Sequence, residues 1–203
     1  MIVIGITGGS GCGKTTALAS VRALGGRVLD CDVVYHSLLE TNQPMLQAIS
    51  ERFHGVVKEG ILDRKSLGKQ VFQTPSALQI LNEITHPYVC QEVCRQLEDW
   101  RKENCLLAAI DAIGLFESGL AQLCDVTVAV IAPEEFRVRR LQMREGISED
   151  YALARIRAQK SNREFVSQCD YVLDNDVQDI HSFADKCDKL FQTIIGGISH
   201  GGK

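Results

Sequence analysis

The chain contains no apolar run close to the roughly 18 residues that a membrane-spanning helix needs. Its opening residues follow a strand pattern and lack the basic stretch that begins a secretory signal peptide. A basic surplus is absent too, since 26 acidic residues against 22 Lys and Arg residues give a net charge of −4. These absences exclude a membrane span and argue against binding nucleic acid mainly by charge. We therefore expect a soluble, cytoplasmic protein with neither a membrane nor a nucleic-acid partner.

A C-x-x-C pair is also missing, although the chain has eight cysteines. Cys90 and Cys94 lie four apart in a helical pattern, where two small buried residues are the ordinary explanation. We predict that all eight are free thiols. Cys12 is singled out because a thiol at a helix N-terminus beside an anion site is expected to have a lowered pKa and to react easily.

What the chain does have is a β-branched run, residues 2–7, followed by the glycine-rich sequence GGSGCGKTT. It matches the phosphate-binding loop G-x-x-x-x-G-K-[ST], in which glycines let backbone N–H groups turn toward nucleotide phosphates. Lys14 would reach the β and γ phosphates, and the Thr15 hydroxyl would bind magnesium. The alternative is a glycine-rich turn between a strand and a helix, and the flanking patterns favour the loop. The predicted phosphate-site residues are Gly8, Gly9, Ser10, Gly11, Cys12, Gly13, Lys14, Thr15 and Thr16.

The remaining pattern alternates strands with helices. It predicts strands at 2–7, 27–32, 105–110, 126–131 and 171–173, and helices at 14–24, 134–144, 148–160 and 179–195, with a frayed tail at 196–203. Ser148 is the expected N-cap of its helix. Residues 33–102 look almost wholly helical, with breaks at 42–44, 54–55, 59–60, 74–75 and 86–87. That length is too great for one crossover helix and indicates a helical insertion.

These elements predict an α/β fold with three layers, in which a parallel sheet carries its ligand at the carboxyl ends of the strands. The 203 residues suffice for one domain with insertions. We expect the active site where the strand ends at Gly8, Asp32 and Asp111 converge.

Two carboxylates therefore matter. Asp32 is a candidate to take or orient the proton of an accepting hydroxyl, and its alternative role is the N-cap of a helix starting at Val33. Asp111 is a candidate for the magnesium ion or its water, and capping of the strand end explains it equally well.

Arginines follow the fourth of these strands. Arg137, Arg140 and Arg144 share one helical face, and Arg140 and Arg144 are predicted to close over the migrating phosphoryl group. Gly114 and Gly119 are candidate hinges. Arg139 and Arg157 are assigned to a solvated face.

Nine segments also occur in an order that points to a family: IGITGGSGCGKTT at 4–16, LDCD at 29–32, DR at 63–64, VF at 71–72, THP at 85–87, LFESG at 115–119, RLQMREG at 140–146, ARIRAQ at 154–159 and DYVLDN at 170–175. On these segments the chain resembles the dephospho-coenzyme A kinases, and the resemblance runs from about Ile4 to Asp176. The first segment is shared by many kinases, whereas the later ones are specific in this order and spacing.

The resemblance implies transfer of the γ-phosphoryl group of ATP, with Mg2+, to the 3'-hydroxyl of the ribose of dephospho-coenzyme A. It implies a P-loop kinase fold with a nucleotide-binding core at about 1–31, 92–113 and 164–203, a helical coenzyme A-binding insert at about 32–91 and a helical lid at about 114–163. The catalytic residues it implies are Lys14, Asp32 and Arg140. Arg144 becomes a lid residue, Asn175 a neighbour of the ATP base, and Asp32, Arg64 and His86 substrate contacts.

Some positions depart from the family pattern. Ile113 and Gly114 stand where a proline and a leucine are common, and Phe165 replaces a basic residue, with Arg163 close by.

The alternative function is that of another small-molecule kinase, which acts on nucleosides or nucleotides. A nucleotide-hydrolysing switch protein is disfavoured because no N-K-x-D segment is present. We expect a monomer or weak homo-oligomer.

Overall fold

The computed structural model describes residues 1–71, 74–176 and 179–201. Phe72 of the predicted VF segment and the last two residues of the predicted tail lie outside the described residues. The chain forms two units, one made of Met1–Leu29 with Trp100–Lys203 and the other of Asp30–Asp99. Within the described residues, no helix is both long enough and apolar enough to cross a membrane.

Strands and helices alternate along the first unit and cluster as helices in the second. The strands are β1 (Ile2–Thr7), β2 (Arg27–Asp30), β3 (Val57–Lys58), β4 (Ile61–Leu62), β5 (Leu107–Asp111), β6 (Val126–Ile131) and β7 (Tyr171–Asp174). The helices are α1 (Lys14–Ala23), α2 (Cys31–Thr41), α3 (Gln43–Arg52), α4 (Arg64–Val71), α5 (Pro75–Lys102), α6 (Glu134–Glu145), α7 (Glu149–Arg157), α8 (Asn162–Gln168) and α9 (Ile180–Gly201). A short 3-10 helix covers Leu120–Leu123.

The first unit is built on a sheet with strand order β2-β5-β1-β6-β7. β1 pairs in parallel with β5 and β6, and β6 pairs in parallel with β7. The three middle strands are almost continuously apolar because helices flank a parallel sheet on both faces. The predicted α/β class with a parallel central sheet is confirmed.

Alternate side chains of β1 pack on opposite sides of the sheet. On one side Ile4 and Ile6 join a core with residues of β6, α1 and α9, including Val128, Val130 and Phe183. On the other side the chain comes so close to Gly5 that a Cβ there would lie 2.8 Å from both Leu115 Cδ2 and Cys124 Sγ. The segment after β5 therefore packs directly on the sheet at a position where only glycine fits.

The second unit contains a small hairpin that the helical prediction missed. β3 and β4 pair antiparallel, with Val57 opposite Leu62. The turn between them uses Glu59 and Gly60, whose φ angles are 50° and 78°. The sequence marked this pair as a break, but two-residue strands are too short to leave a periodic signal.

The predicted break at His86-Pro87 is wrong, because α5 runs through Pro87 without interruption. Proline removes one helical hydrogen bond and costs about 3 kcal/mol in a helix interior. A stripe of buried side chains at four-residue spacing compensates for this cost: Leu81, Thr85, Val89, Val93 and Leu97. Thr85 also donates from its hydroxyl to the Leu81 carbonyl at 2.9 Å.

Ends of elements differ from the prediction at several places. β5 begins at Leu107 rather than at residue 105. α9 continues to Gly201 instead of fraying from residue 196, since glycine only weakens a helix and does not stop it. The Ser148 cap is confirmed, because its side chain accepts a hydrogen bond from the Tyr151 N–H.

The predicted helix at 148–160 corresponds to the shorter α7, and a further helix that was not predicted, α8, follows it. α7 ends at Arg157, and α8 begins after Ser161. Ser161 and Glu164 form a capping box, in which each side chain accepts a hydrogen bond from the other residue's backbone N–H. The sequence S-x-x-E that encodes this box was the available signal for α8, and the prediction overlooked it.

Candidate functional site

The glycine-rich loop joins β1 to α1 in the first unit. Gly13 is the N-cap of α1 with φ 107°, a left-handed angle that favours glycine. A Cβ at Gly13 would lie 2.3 Å from Asn175 Nδ2, and one at Gly11 would lie 2.7 Å from the Arg137 carbonyl oxygen. The loop therefore needs glycine for its backbone angle and for the close approach of neighbouring residues.

Carbonyl groups of the loop are held by donors from outside it. Arg137 Nε donates to the Ser10 carbonyl at 2.9 Å. Arg140 Nη1 donates to the Gly11 carbonyl at 3.2 Å. Asn175 Nδ2 donates to the Cys12 carbonyl at 2.9 Å. Three successive carbonyls thus face side chains of α6 and of the residue after β7.

This arrangement orients the N–H groups of the loop. The described residues contain no cis peptide bond, and in a trans peptide the carbonyl and the following N–H point in opposite directions. The N–H groups of Gly11 and Gly13 therefore face away from the arginines. Gly13 directly precedes α1, whose first N–H groups have no partners within the helix. The loop presents donors for an anion on one side and bound carbonyls on the other.

Lys14 and the two arginines place positive charge around the loop. Lys14 Nζ donates to the Gly8 carbonyl at 2.8 Å. Burial lowers the pKa of the Arg137 guanidinium, which is only 4% exposed, and burial also lowers the pKa of Arg140. Arginine still stays charged at neutral pH because its guanidinium keeps its proton in proteins.

Sequence reasoning missed the roles of Arg137 and Gln159. Arg137 lies three residues before Arg140, on the same face of α6, and that spacing was the available signal. Gln159 follows α7, and its Oε1 accepts hydrogen bonds from the Ser10 N–H at 2.8 Å and from Arg137 Nη2 at 3.1 Å. No periodic pattern points to Gln159, since it lies between two helices.

Arg144 lies apart from the loop carbonyls that Arg140 contacts. Its side chain is 57% exposed and pairs with Glu145, which also binds Arg155 at 2.6 Å. The hydrogen bond from Arg144 lowers the pKa of the Glu145 carboxyl. The solvated-face prediction is confirmed for Arg139, which is exposed, and for Arg157, which forms an exposed pair with Glu134 at 3.6 Å.

Cys12 contradicts the expectation of a reactive thiol. Its side chain is 1% exposed and belongs to the core formed by the sheet, α1 and α9. Burial raises the pKa of the Cys12 thiol, and the charges of Lys14 and Arg137 only partly oppose this rise. The prediction of a lowered pKa was wrong because the side chain points into the core rather than toward the anion site. The prediction of eight free thiols is confirmed.

The two predicted magnesium ligands, Asp111 and Thr15, lie on β5 and on α1. Asp111 is the last residue of β5, and its Cα pairs in register with Ile6 of β1, just before the loop. Its negative charge also contributes to the raised pKa of the Cys12 thiol. Thr15 is exposed in the first turn of α1.

Asp32, Arg64 and His86 all lie in the second unit. The predicted strand through Asp32 is wrong, because β2 ends at Asp30 and α2 begins at Cys31. Asp30 is the N-cap of α2, with Oδ1 accepting from the N–H groups of Asp32 at 2.9 Å and Val33 at 3.1 Å. The alternative role of Asp32 as the cap is therefore excluded, and its carboxylate is exposed in the first turn.

The other two predicted substrate contacts have different surroundings. Arg64 begins α4 and pairs with Glu40 at 2.9 Å, while its Nη2 also lies 3.5 Å from the His36 carbonyl. His86 lies within α5, directly before Pro87. Both residues are on helices, so their backbones are held in place.

The departures from the family pattern also have structural explanations. Phe165, which replaces a basic residue, is a 1% exposed core side chain of α8, whereas Arg163 is exposed. The Ile113 carbonyl accepts a hydrogen bond from Thr7 Oγ1 at 3.0 Å. That bond ties the segment after β5 to the end of β1.

The family model for dephospho-CoA kinase matches residues 2–180. A dephospho-CoA kinase of Carboxydothermus hydrogenoformans is 36% identical over 175 residues, which are 85% of each chain. A crystal structure from Thermus thermophilus matches with a TM-score of 0.77 and 32% identity over 97% of both chains. The structure of a Campylobacter jejuni dephospho-CoA kinase matches with a TM-score of 0.68 and 28% identity over 96% of this chain and 98% of that one.

Proposed function

This chain belongs to the dephospho-CoA kinase family, and on that premise we propose that it transfers the γ-phosphoryl group of ATP to the 3'-hydroxyl of the ribose of dephospho-coenzyme A. The products are coenzyme A and ADP. The observation that carries the proposal is the glycine-rich loop, whose carbonyls at Ser10, Gly11 and Cys12 are bound on one side. The N–H groups of Gly11 and Gly13 thereby face away from these donors, which makes them available to a triphosphate.

The phosphate site consists of residues 8–16 in this proposal. Lys14 moves its ammonium from the Gly8 carbonyl to the β and γ phosphates, and Arg140 stays close to the loop as the positive charge behind it. Cationic groups placed in this way stabilise the charge that spreads over the γ-phosphoryl oxygens during transfer. Asn175 holds the Cys12 carbonyl and neighbours the ATP base.

The acceptor side is the proposed coenzyme A-binding insert, residues 32–91, which lies within the second unit. The 3'-oxygen forms a bond to the γ-phosphorus while the bond from that phosphorus to the β–γ bridging oxygen breaks. Asp32 takes the proton of the hydroxyl, which is the role of a general base or orienting carboxylate. Its exposed position in the first turn of α2, free of the capping bonds that Asp30 makes, supports this role. Arg64 and His86 are proposed contacts of dephospho-coenzyme A.

Residues 114–163 form the proposed lid, and residues 1–31, 92–113 and 164–203 form the nucleotide-binding core. Arg144 is proposed to act from the lid, since it lies one turn beyond Arg140 on α6. Its ion pair with Glu145 is exposed, so breaking it costs little. A monomer or weak homo-oligomer is sufficient for this mechanism.

The chain's residues also fit Mg2+. This ion prefers oxygen ligands and usually takes one or two from the protein and the rest from water and phosphates. The Thr15 hydroxyl and the Asp111 carboxylate would hold it. Among the described residues there is no group of three or more His, Cys, Asp or Glu side chains suited to a metal. When bound, Mg2+ supplies positive charge to the β and γ phosphates.

A coupled assay tests the proposal with ATP, magnesium and one acceptor at a time. We expect ADP formation with dephospho-coenzyme A and little with nucleosides or nucleoside monophosphates, and mass spectrometry should show a gain of one phosphoryl group. Faster transfer to a nucleotide would assign the chain to another class of small-molecule kinase. Slow hydrolysis with no transfer to any acceptor would indicate a nucleotide-hydrolysing switch.

A further inference from the structure

Ser10 is held completely by two residues that lie far from it in sequence. Its N–H donates to Gln159 Oε1 at 2.8 Å, and its Oγ accepts from Gln159 Nε2 at 2.8 Å. Its carbonyl accepts from Arg137 Nε at 2.9 Å. All three polar groups of this loop residue are therefore bound by α6 or by the residue just beyond α7.

Gln159 is in turn held by its own surroundings. Its Oε1 also accepts from Arg137 Nη2 at 3.1 Å, so the two side chains that bind Ser10 bind each other. The Ser10 N–H and Arg137 Nη2 can only donate hydrogen bonds, so the Gln159 atom that faces them must be its amide oxygen. The orientation of the Gln159 amide is thereby fixed. Helices α6 and α7 share a small apolar core of Val138, Leu141, Ala152 and Ile156. The position of Gln159 therefore follows the position of this helix pair.

We propose that Gln159 is a positioning residue that links the α6–α7 pair to the phosphate loop through Ser10. The Ser10 carbonyl, which Arg137 Nε binds, belongs to the same planar peptide as the Gly11 N–H, so the direction of that N–H depends on this bond. Gln159 supports the bond from two sides, because its Oε1 accepts from Arg137 Nη2 and also holds the N–H of Ser10 itself. Glycines flank Ser10 on both sides, and without outside contacts the backbone there can turn freely. Gln159 thus prepares one of the donors for the phosphates of ATP. This inference rests on the proposed function, because it assumes that the loop binds ATP.

Removal of the Gln159 amide affects nucleotide binding more than acceptor binding. In Gln159→Leu, the Ser10 N–H and Oγ lose their partners and Arg137 loses one acceptor. We expect the Kd for a non-hydrolysable ATP analogue and the KM for ATP to rise about tenfold, which is the effect of about one hydrogen bond. The KM for dephospho-coenzyme A should change less than twofold. A residue that only stabilises the fold would not separate the two substrates in this way.

The experiment compares Gln159→Leu with Gln192→Leu, the same substitution at an exposed position of α9. Calorimetric titration with the ATP analogue measures loop binding without any acceptor, and steady-state kinetics give both KM values. If the assay shows no transfer to dephospho-coenzyme A while the analogue binds the wild type, the proposed function fails and the Gln159 inference can still be judged on the Kd. Gln159→Asn, whose shorter side chain cannot span the same distance, replaces Gln159→Leu if the latter does not fold.

A double-mutant cycle with Ser10→Ala tests whether Gln159 acts through Ser10. Ser10→Ala removes the Oγ that Gln159 Nε2 binds, so the double variant should lose less affinity than the sum of the two single variants. A wild-type Kd in Gln159→Leu would overturn the inference. So would equal rises in both KM values, or strict additivity in the cycle.

Discussion

Arg140 and Asn175 bind each other beside the phosphate loop, with Arg140 Nη2 donating to Asn175 Oδ1 at 3.1 Å. Both also reach the Cys12 carbonyl, from which Asn175 Nδ2 lies 2.9 Å away and Arg140 Nη1 3.5 Å. A side chain of α6 and one that follows β7 therefore hold the same peptide group. The direction of the Gly13 N–H depends on this shared contact, because that N–H belongs to the same peptide.

Asn175→Leu should weaken ATP binding and destabilise the fold. The substitution leaves the Cys12 carbonyl with only the longer contact to Arg140, in a place where Asn175 itself is 4% exposed. We expect a loss of about 1–3 kcal/mol in the free energy of unfolding and a KM for ATP raised about tenfold or more. Urea unfolding and ATP titration measure the two effects.

The matched control is Asn162→Leu. Asn162 Nδ2 makes a comparable bond to the Ala132 carbonyl at 2.9 Å, outside the loop. It should lose similar stability while keeping the KM for ATP. Equal KM values for ATP in the two variants would show that Asn175 has no special relation to the nucleotide site.

Gly13→Ala should abolish activity, whereas Gly25→Ala should not. Both glycines have left-handed φ angles, 107° and 81°, so alanine strains the backbone at each by about 1 kcal/mol or more. A Cβ at Gly25 meets nothing within 4 Å, but one at Gly13 would lie 2.3 Å from Asn175 Nδ2. Thermal unfolding and ATP binding of the two variants separate backbone strain from displacement of Asn175. Similar ATP binding in both would mean that Asn175 moves without consequence.

Asp32→Asn should lower kcat by about 100-fold or more and leave the affinity for ATP unchanged. The amide keeps the size of the side chain but cannot take a proton from the accepting hydroxyl. Asp30→Asn is the control two residues away, because asparagine still caps α2 and stability should change little. Steady-state kinetics with dephospho-coenzyme A measure both variants. A kcat within twofold of the wild type in Asp32→Asn would remove Asp32 from the mechanism.

Arg144→Met should lower kcat about tenfold at saturating ATP if Arg144 acts from the lid. Arg155→Met is its control, since Arg144 and Arg155 bind the same carboxylate of Glu145. Both pairs are exposed, so each variant should change the stability of the fold little. Equal kcat values in the two variants would show that Arg144 serves only the ion pair.

Alkaline pH should destabilise the protein through its buried thiols. Burial raises the pKa of Cys187 from 9.0 to about 12. Between these values the unfolded chain loses the thiol proton and the folded chain keeps it, so the stabilisation is fully present below pH 9.0 and is lost as the pH rises toward 12. The expected slope is about 1.4 kcal/mol per pH unit for one such thiol.

Urea unfolding between about pH 8 and pH 11 measures this slope. Cys187→Ala should show a shallower decline than the wild type. Ile194→Val, another core change on α9, should lower stability at every pH without altering the slope. Parallel curves for Cys187→Ala and the wild type would exclude Cys187 as a source of the decline.

Sequence periodicity was sufficient where a segment is long and its signal is local. The exact bounds of β6 and the Ser148 cap follow from an apolar run and from the chemistry of one hydroxyl. Sequence periodicity failed at Pro87, where the packing of a buried stripe outweighs the local cost of proline. It also failed at Asp32, because Asp30 caps α2 and the expected strand end is the start of a helix. Local propensity cannot predict the structure of a segment whose conformation is decided by side-chain contacts.

The sequence by itself determined that a phosphate loop follows the first strand, because glycine spacing and the Lys-Thr pair are local requirements of an anion site. It also determined the family, through segments in a specific order. Only the tertiary structure decided which side chains hold that loop. Arg137, Gln159 and Asn175 lie 127 to 163 residues from the loop groups they bind. Likewise, the thiol of Cys12 is buried and inert because the sheet packs against α1 and α9 around it. Its burial depends on residues distant in sequence, which a local sequence pattern does not identify.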